Sequence, residues 1–269
     1  RSGAHYAEAV DLLRAGKIGR IPHITANFVR NVMPGFGKPA NAAPPSELNY
    51  EMWLGPAPKV DYNPLRVLYH FRWFWDYSGG QMTNWGAHEL DIARWGMNAR
   101  APLTVAGFAG RFANTDGGQT PDVQEVLYRF PDFLVTWSVR EVNAARRVGL
   151  EFHGTHGNLQ INRRGYRITP EIWGEEKKKM TQELEVQGDE SSLTRLHVEN
   201  FLSCVKSRRK PNADVEEGHY TATMCHLGNI AARLNRSIQW DWEKEQVPHD
   251  AEANALLSKP YRKPWKLEV

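Results

Sequence analysis

The residues best suited to chemistry in this 269-residue chain crowd into one stretch, Phe71 to Met97, FRWFWDYSGGQMTNWGAHELDIARWGM. If a helix begins just after Gly79-Gly80, a rotation of about 100° per residue puts Asn84, His88, Asp91 and Trp95 at about 0°, 40°, 340° and 20°, in one narrow stripe. A stripe that merely faced a core would be apolar. This one carries an amide, an imidazole and a carboxylate. An imidazole titrates near neutral pH, which suits His88 to take a proton from a substrate hydroxyl. Asp91, one turn further on, is then the group that fixes the tautomer or raises the basicity of His88. Two plainer readings stand beside this one. His88 is equally a half-buried histidine paired with Asp91, with Asn84 facing solvent in the first turn. A metal held by His88, Glu89 and Asp91 is the other, but Glu89 points roughly 100° away from His88, so one ion would struggle to meet both. Just upstream, Trp73, Trp75 and Tyr77 offer flat apolar faces of the kind that stack on sugar rings, and Arg72 and Asp76 can hydrogen-bond hydroxyls. Plain core packing accounts for the same aromatics.

The elements that must position this stretch are legible on either side of it. Residues 4–15 carry Val10, Leu12 and Leu13 among good helix formers and are closed by Gly16 and Gly19, which predicts a short helix. From Ile21 to Asn31 the pattern alternates, with Ile24, Ala26 and Phe28 on one side, as in a strand. Residues 32–70 hold seven prolines and three glycines with no sustained period, apart from a helical turn around Glu51 to Leu54. Long irregular excursions of this kind are usually functional or oligomer-forming. Residues 103–169 read as a meander of antiparallel strands. Its best hairpin sets Val126, Tyr128 and Phe130 against Phe133, Val135, Trp137 and Val139 across a Pro131-Asp132 turn. Leu150, Phe152, Leu159 and Ile161 continue the alternation. One face of this sheet should be apolar, while the other mixes polar groups with Leu127 and Leu134 and is suited to pack on a partner chain. Two amphipathic helices are predicted next. Residues 193–206 align Leu193, Leu196, Phe201 and Cys204; residues 215–234, capped by Asp214, align Tyr220, Met224, Leu227, Ala231 and Leu234. A short helix at Ala251 to Leu257 and a proline-rich tail should wrap over the core. No internal repeat and no interdomain linker interrupts the order, so residues 1–269 are expected to form a single α+β domain.

Composition narrows the function classes. With 41% apolar and 24% charged residues the chain is neither disordered nor fibrous, and two cysteines, Cys204 and Cys225, exclude a disulfide scaffold. Net charge is +3. The basic clusters Lys177 to Lys179 and Arg208 to Lys210 are short, and Glu175 and Glu176 abut the first, so no nucleic-acid partner is expected. Apolar windows are interrupted well before the ~18 residues of a membrane span. The chain starts at Arg1 rather than Met with no signal-like stretch behind it. Any export signal would precede Arg1, which leaves cytoplasmic and periplasmic placement equally open. No G-x-G-x-x-G unit, Walker A loop, G-x-S-x-G elbow or H-E-x-x-H pair occurs.

Four ordered motifs together resemble a known family. They are RWFWDYSGGQMTNWGAHELDIARWGM, WLGPAP at 53–58, FHGTHG at 152–157 and DAEANALLSKPYRKPW at 250–265. Over essentially its whole length the chain is similar to the C-terminal domain of the Gfo/Idh/MocA oxidoreductases. That resemblance implies a large open antiparallel sheet with helices packed on one face, a sugar or polyol substrate, and dimers or tetramers formed through the outer face of the sheet. It also implies an N-terminal Rossmann domain that holds NAD or NADP, which this chain alone would not bind. Carried over by position, the family's D-x-x-x-H pair falls on Asn84 and His88, its catalytic base on His88, and its following acid on Asp91. Asn84 departs from the pattern, since an amide can hold a hydroxyl but cannot accept its proton. The family's Lys, in an E-K-P motif of the Rossmann half, has no counterpart here. Two functional expectations follow. One is the substrate-binding and catalytic half of an NAD(P)-dependent oxidoreductase acting on a sugar, polyol or glycoside hydroxyl. The other is a cofactor-free carbohydrate-binding or assembly module, or a non-redox enzyme using His88 as general base.

Overall fold

The structure, a computed structural model, describes residues 1–144 and 149–267. Strands β1 (His23–Val29), β2 (Thr104–Gly110), β3 (Val123–Arg129), β4 (Leu134–Arg140), β5 (Leu150–His153), β6 (Gly157–Asn162) and β7 (Gly165–Pro170) form most of one sheet. A small hairpin of β8 (Ile172–Trp173) and β9 (Lys178–Lys179) stands apart, and β10 (Leu184–Gln187) and β11 (Ile238–Gln239) close the two edges. The order is β10-β7-β6-β5-β1-β4-β3-β2-β11. Every pairing in the large sheet is antiparallel except β1 with β4. The expected antiparallel meander therefore exists as two three-stranded ribbons, and the early strand β1 is wedged between them. Residues 145–148 of the expected meander lie outside the described residues.

The helices are α1 (Ala4–Arg14), α2 (Tyr50–Leu54), α3 (Gly80–Thr83), α4 (Trp85–Met97), α5 (Leu193–Ser207), α6 (Val215–Leu234) and α7 (Ala251–Ala255). The core lies between one face of the sheet and α1, α4 and α6. Ile24, Val126, Tyr128, Val135, Trp137, Leu150, Phe152 and Leu159 meet Ala9, Leu13, Leu90, Ala93, Met224 and Leu227 there. The alternation that makes these strands amphipathic thus drives the packing, at roughly 1.5–3 kcal/mol for each large apolar side chain fully withdrawn from water. Helix α4 is held close to the sheet by two glycines. A Cβ on Gly96 would stand 2.9 Å from the Phe152 ring, and one on Gly86 would stand 3.4 Å from the Trp137 indole. The opposite face of the sheet carries His23, Thr25, Thr136, Ser138 and His153, with Leu127, Leu134 and Phe108 exposed.

One expectation about helices needs correction. The helix after Gly79-Gly80 is not continuous: α3 ends at Thr83, and Asn84 (φ −96°, ψ −86°) breaks the path before α4 starts. On α5 the predicted apolar stripe exists, but no residue of that helix is buried, and Phe201, Leu202, Val198 and Val205 are open. The cap on α6 is as expected, Asp214 accepting from the Glu216 amide at 3.0 Å. The irregular excursion contains α2 and two 3-10 turns, Pro64–Arg66 and Leu68–Trp73. The tail clamps it: Arg262 donates to the carbonyls of Ala57 and Gly55 at 3.0 and 2.8 Å and pairs with Glu51, so two of the four sequence motifs meet.

Candidate active site

A cavity of about 1150 Å³ opens along the N-terminal half of α4. Its walls come from α4 (Trp85, Ala87, His88, Glu89, Asp91, Ile92), α1 (Tyr6), the β6–β7 turn (Asn162, Arg163, Arg164) and one side of α6 (Gly218, Ala222, Cys225, His226). On helical geometry Ala87 and Glu89 lie about 100° to either side of His88, so α4 offers the cavity an arc of about 200° with His88 at its centre. Leu90 and Ala93 on the back of the helix stay buried against the sheet.

His88 is exposed to the cavity, and its ring meets the edge of Trp85 at 5.7 Å. Among the described residues no hydrogen bond occupies either ring nitrogen. Partial withdrawal from water and the neighbouring Arg163 cation hold the imidazole below its ordinary value, against a weaker opposing pull from Asp91. The ring is accordingly neutral at pH 7 and able to accept a proton. Beside it, burial raises the Glu89 carboxyl to about 7, again with Arg163 opposing. Cys225 also lines the cavity, but burial pushes its thiol up to about 12, far from a reactive thiolate. His226 reaches the far side of the same cavity, its imidazole lowered by burial and by Lys259.

Asp91 faces the cavity rim but does not hold His88. Its carboxylate accepts from Arg1 Nε and Nη2, both at 2.8 Å, and from Thr221 Oγ1 at 2.9 Å, in a cluster that also ties Arg1 and Arg94 to Glu217. The proximity expected from i, i+3 spacing is therefore spent on joining the chain start and α6 to α4. Asn84 is turned inward. Its Nδ2 donates to Gln81 Oε1 at 3.2 Å, Gln81 donates to Glu141 at 2.8 Å, and Glu141 pairs with Arg30. The helix break takes Asn84 off the stripe it would share with His88.

The aromatic run is not brought to this cavity. Trp73 is 2% exposed and packs with Leu65, Phe74 and Phe36, with Arg30 over its ring at 5.1 Å. Trp75 lines a separate cleft of about 200 Å³ and lies under Arg233 at 4.9 Å. Tyr77 meets the edge of Trp53, Arg72 donates to the Tyr69 carbonyl at 2.8 Å, and Asp76 stands 3.8 Å from Arg66. Sequence reading passed over Trp85 and Arg163 and weighed Glu89 only as a metal ligand. The signal available for Arg163 was its place, with Arg164, between two alternating strands ahead of Gly165. Among the described residues no three His, Cys, Asp or Glu side chains converge to hold a metal, and no helix is long and apolar enough to cross a membrane.

An open, nearly antiparallel sheet covered on one face by helices, with a cavity beside one of those helices, defines an α+β domain. The chain belongs to the Gfo/Idh/MocA oxidoreductase family: the family's C-terminal alpha/beta domain matches residues 31–106 and 178–267, more than half of its length. Solved structures share the fold at low identity. An oxidoreductase domain protein from Kribbella flavida superposes with a TM-score of 0.61 at 14% identity, over 87% of this chain and 62% of that one. Levoglucosan dehydrogenase, solved with NADH and levoglucosan, gives 0.60 at 13% identity over 90% and 62%. The WlbA dehydrogenase from Bordetella pertussis, solved with NADH and UDP-GlcNAcA, gives 0.55 at 14% identity over 88% and 60%. The chain thus spans about 60% of the length of these structures. A search of curated proteins finds no match.

Proposed function

We propose that residues 1–269 act as one substrate-binding and catalytic domain of an NAD(P)-dependent oxidoreductase, with a sugar, polyol or glycoside hydroxyl as substrate. The observation that carries this reading is the unpartnered, neutral His88 imidazole at the centre of the cavity wall. A hydroxyl gives up its proton as its carbon loses hydride, and His88 is the group positioned to take that proton. In enzymes of this kind the dinucleotide supplies the hydride acceptor. The residues described here do not fit its pyrophosphate. Gly79-Gly80 does open a helix, but Cβ atoms there would stand 2.4 Å from Asn229 and 2.8 Å from Thr120, and α3 is only four residues long. A cradle for phosphate needs free backbone amides at a longer helix start. We therefore assign this chain the proton side of the reaction and the binding of the sugar, and assign the dinucleotide to sequence outside these residues. The mixed outer face of the sheet, with Phe108, Leu127 and Leu134 exposed, supports association into a homodimer or tetramer.

The test is His88→Ala in the complete enzyme. Because the ring is exposed, unfolding free energy should stay within about 0.5 kcal/mol. Turnover of the sugar substrate should fall about 10²- to 10⁴-fold, as expected for loss of a general base. A variant that turns over at the original rate refutes the assignment.

A further inference from the structure

Charged side chains around the cavity are matched one by one, with two exceptions. Asp91 and Glu217 are held by Arg1 and Arg94. Glu190 lies 3.9 Å from Arg164, and Asp214 caps α6 beside Lys210. Among the described residues this leaves Arg163 and Glu89, neither with an ion pair or a hydrogen bond. The Arg163 side chain is exposed, but its backbone is fixed in place. It occupies the two-residue turn between β6 and β7, which Asn162 secures by accepting from the Arg164 amide at 2.7 Å. Gly165 follows at φ +142°, with no room for a Cβ. The guanidinium lies over the Trp85 ring at 4.9 Å, and Phe28 stacks on that same indole at 4.8 Å and 14°. The Trp85 indole therefore carries the Arg163 cation on the cavity wall, close enough to His88 to lower that imidazole's affinity for protons. A stacked guanidinium with its N–H groups uncommitted is arranged for two-point recognition of a carboxylate or phosphate.

We propose that Arg163 is the anion-recognising residue of this cavity and that the sugar bound beside His88 carries a carboxylate. This rests on the reading of His88 as the base of a hydroxyl substrate. A carboxylate on that sugar is favoured over a dinucleotide phosphate because the glycines of this chain leave no pyrophosphate cradle. Glu89 tunes the site. Its carboxyl, raised to about 7, is largely uncharged in mildly acidic solution, so Arg163 then acts as an unopposed cation. As pH rises through that value Glu89 ionises and competes with the ligand for Arg163. His88, which loses its proton below its ordinary value, changes in the same direction. Of the other groups facing this corner, the Tyr6 phenol keeps its proton through neutrality because burial and Glu89 raise it, and the Arg1 α-ammonium, lowered by burial, loses charge in the same direction as His88.

Calorimetric titration of the complete enzyme with glucuronate, galacturonate and mannuronate, each against its neutral hexose, tests the assignment. At about pH 6 at least one uronate should bind about tenfold or more tighter than its hexose, the size of a charge-assisted contact. Arg163→Ala and Arg163→Gln, the second keeping a side chain able to lie on Trp85, should both abolish that preference by weakening uronate binding far more than hexose binding. The preference should shrink by about pH 8 in the native protein and shrink less in Glu89→Gln, where only His88 still loses its proton. Equal binding of acid and hexose, or a preference that survives both Arg163 variants, overturns the inference. So does Arg163-dependent binding of inorganic phosphate without uronate preference. The imidazole resonances of His88 separate the two levels. If a neutral hexose shifts them and no uronate is preferred, only the anion assignment falls; if no sugar shifts them, the substrate reading falls with it.

Discussion

Residues 71–77 and residues 85–92 carry much the same mixture, aromatic rings interleaved with charged and amide groups, yet they do opposite work in the fold. In the first group the side chains are packed or paired, and the two polar atoms without a hydrogen-bond partner, Trp73 Nε1 and Tyr77 Oη, are sealed from solvent. Trp73 is sealed beside Phe36 and Leu65, Arg72 is tied to a carbonyl in its own turn, and Asp76 stands near Arg66. In the second, His88 and Glu89 stand on the wall of a large cavity with no hydrogen-bond partner among the described residues. The difference teaches that density of sugar-friendly side chains does not mark a site; polar groups left unpaired in a concave surface do. The local reason is the layer each segment lies against. The 3-10 turn Leu68–Trp73 is folded into the irregular excursion, whereas α4 has only its rear face on the sheet.

The sharpest way to break this contrast is Trp73→Ala. If the first group is structural, removing a 2%-exposed indole costs about 3–5 kcal/mol in equilibrium unfolding. Sugar affinity, measured where the protein is still folded, should not change. A stable variant with weakened sugar binding would move Trp73 into the site and erase the distinction.

A smaller effect probes the second group through its own titration. Glu89 binds its proton more tightly folded, at about 7, than the ordinary carboxyl of an unfolded chain near 4.5. Because the folded value is the higher, the native state is favoured while Glu89 is protonated and loses that advantage as pH rises from about 4.5 to about 7. Glu89→Gln cannot ionise. It should be more stable than the native protein by about 1–2 kcal/mol at pH 8, with the gap closing below about pH 5. Urea unfolding at both pH values checks it, and a gap that stays constant with pH would show that Glu89 is not withdrawn from water.

Much of this architecture was legible in the residues. Alternation through Val126, Tyr128, Val135 and Trp137 identified the apolar face, and the stop at Gly16 and Gly19 bounded α1 correctly. Position of β1 was not legible, because its parallel pairing with β4 joins segments about a hundred residues apart and leaves no local pattern. The same limit applies to Asp91. Helical spacing placed it near His88, but its carboxylate is taken by Arg1 and Thr221, partners that no periodicity can reveal. Arg163 reached the site by the same long-range route, over the ring of Trp85.

Asn84 lies at the boundary between the two groups and gives the finest test of where that boundary runs. Counted along an unbroken helix it belongs with His88, and restoring a carboxylate by Asn84→Asp should then preserve or raise turnover. The break after Thr83 predicts otherwise. Asn84 Nδ2 is the donor to Gln81 Oε1, and Gln81 Nε2 is already committed to Glu141. An aspartate there removes the donor and sets two acceptors against each other, with a second carboxylate one residue away through Gln81. The expected result is a loss of about 1 kcal/mol in unfolding free energy, the usual cost of one broken hydrogen bond with a partner left behind. Sugar affinity and the pH profile of turnover should be unaltered, because the side chain does not line the cavity. If Asn84→Asp leaves stability untouched and shifts that pH profile, residue 84 faces the substrate after all, and the division between a packed and an open half must be redrawn one helical turn earlier.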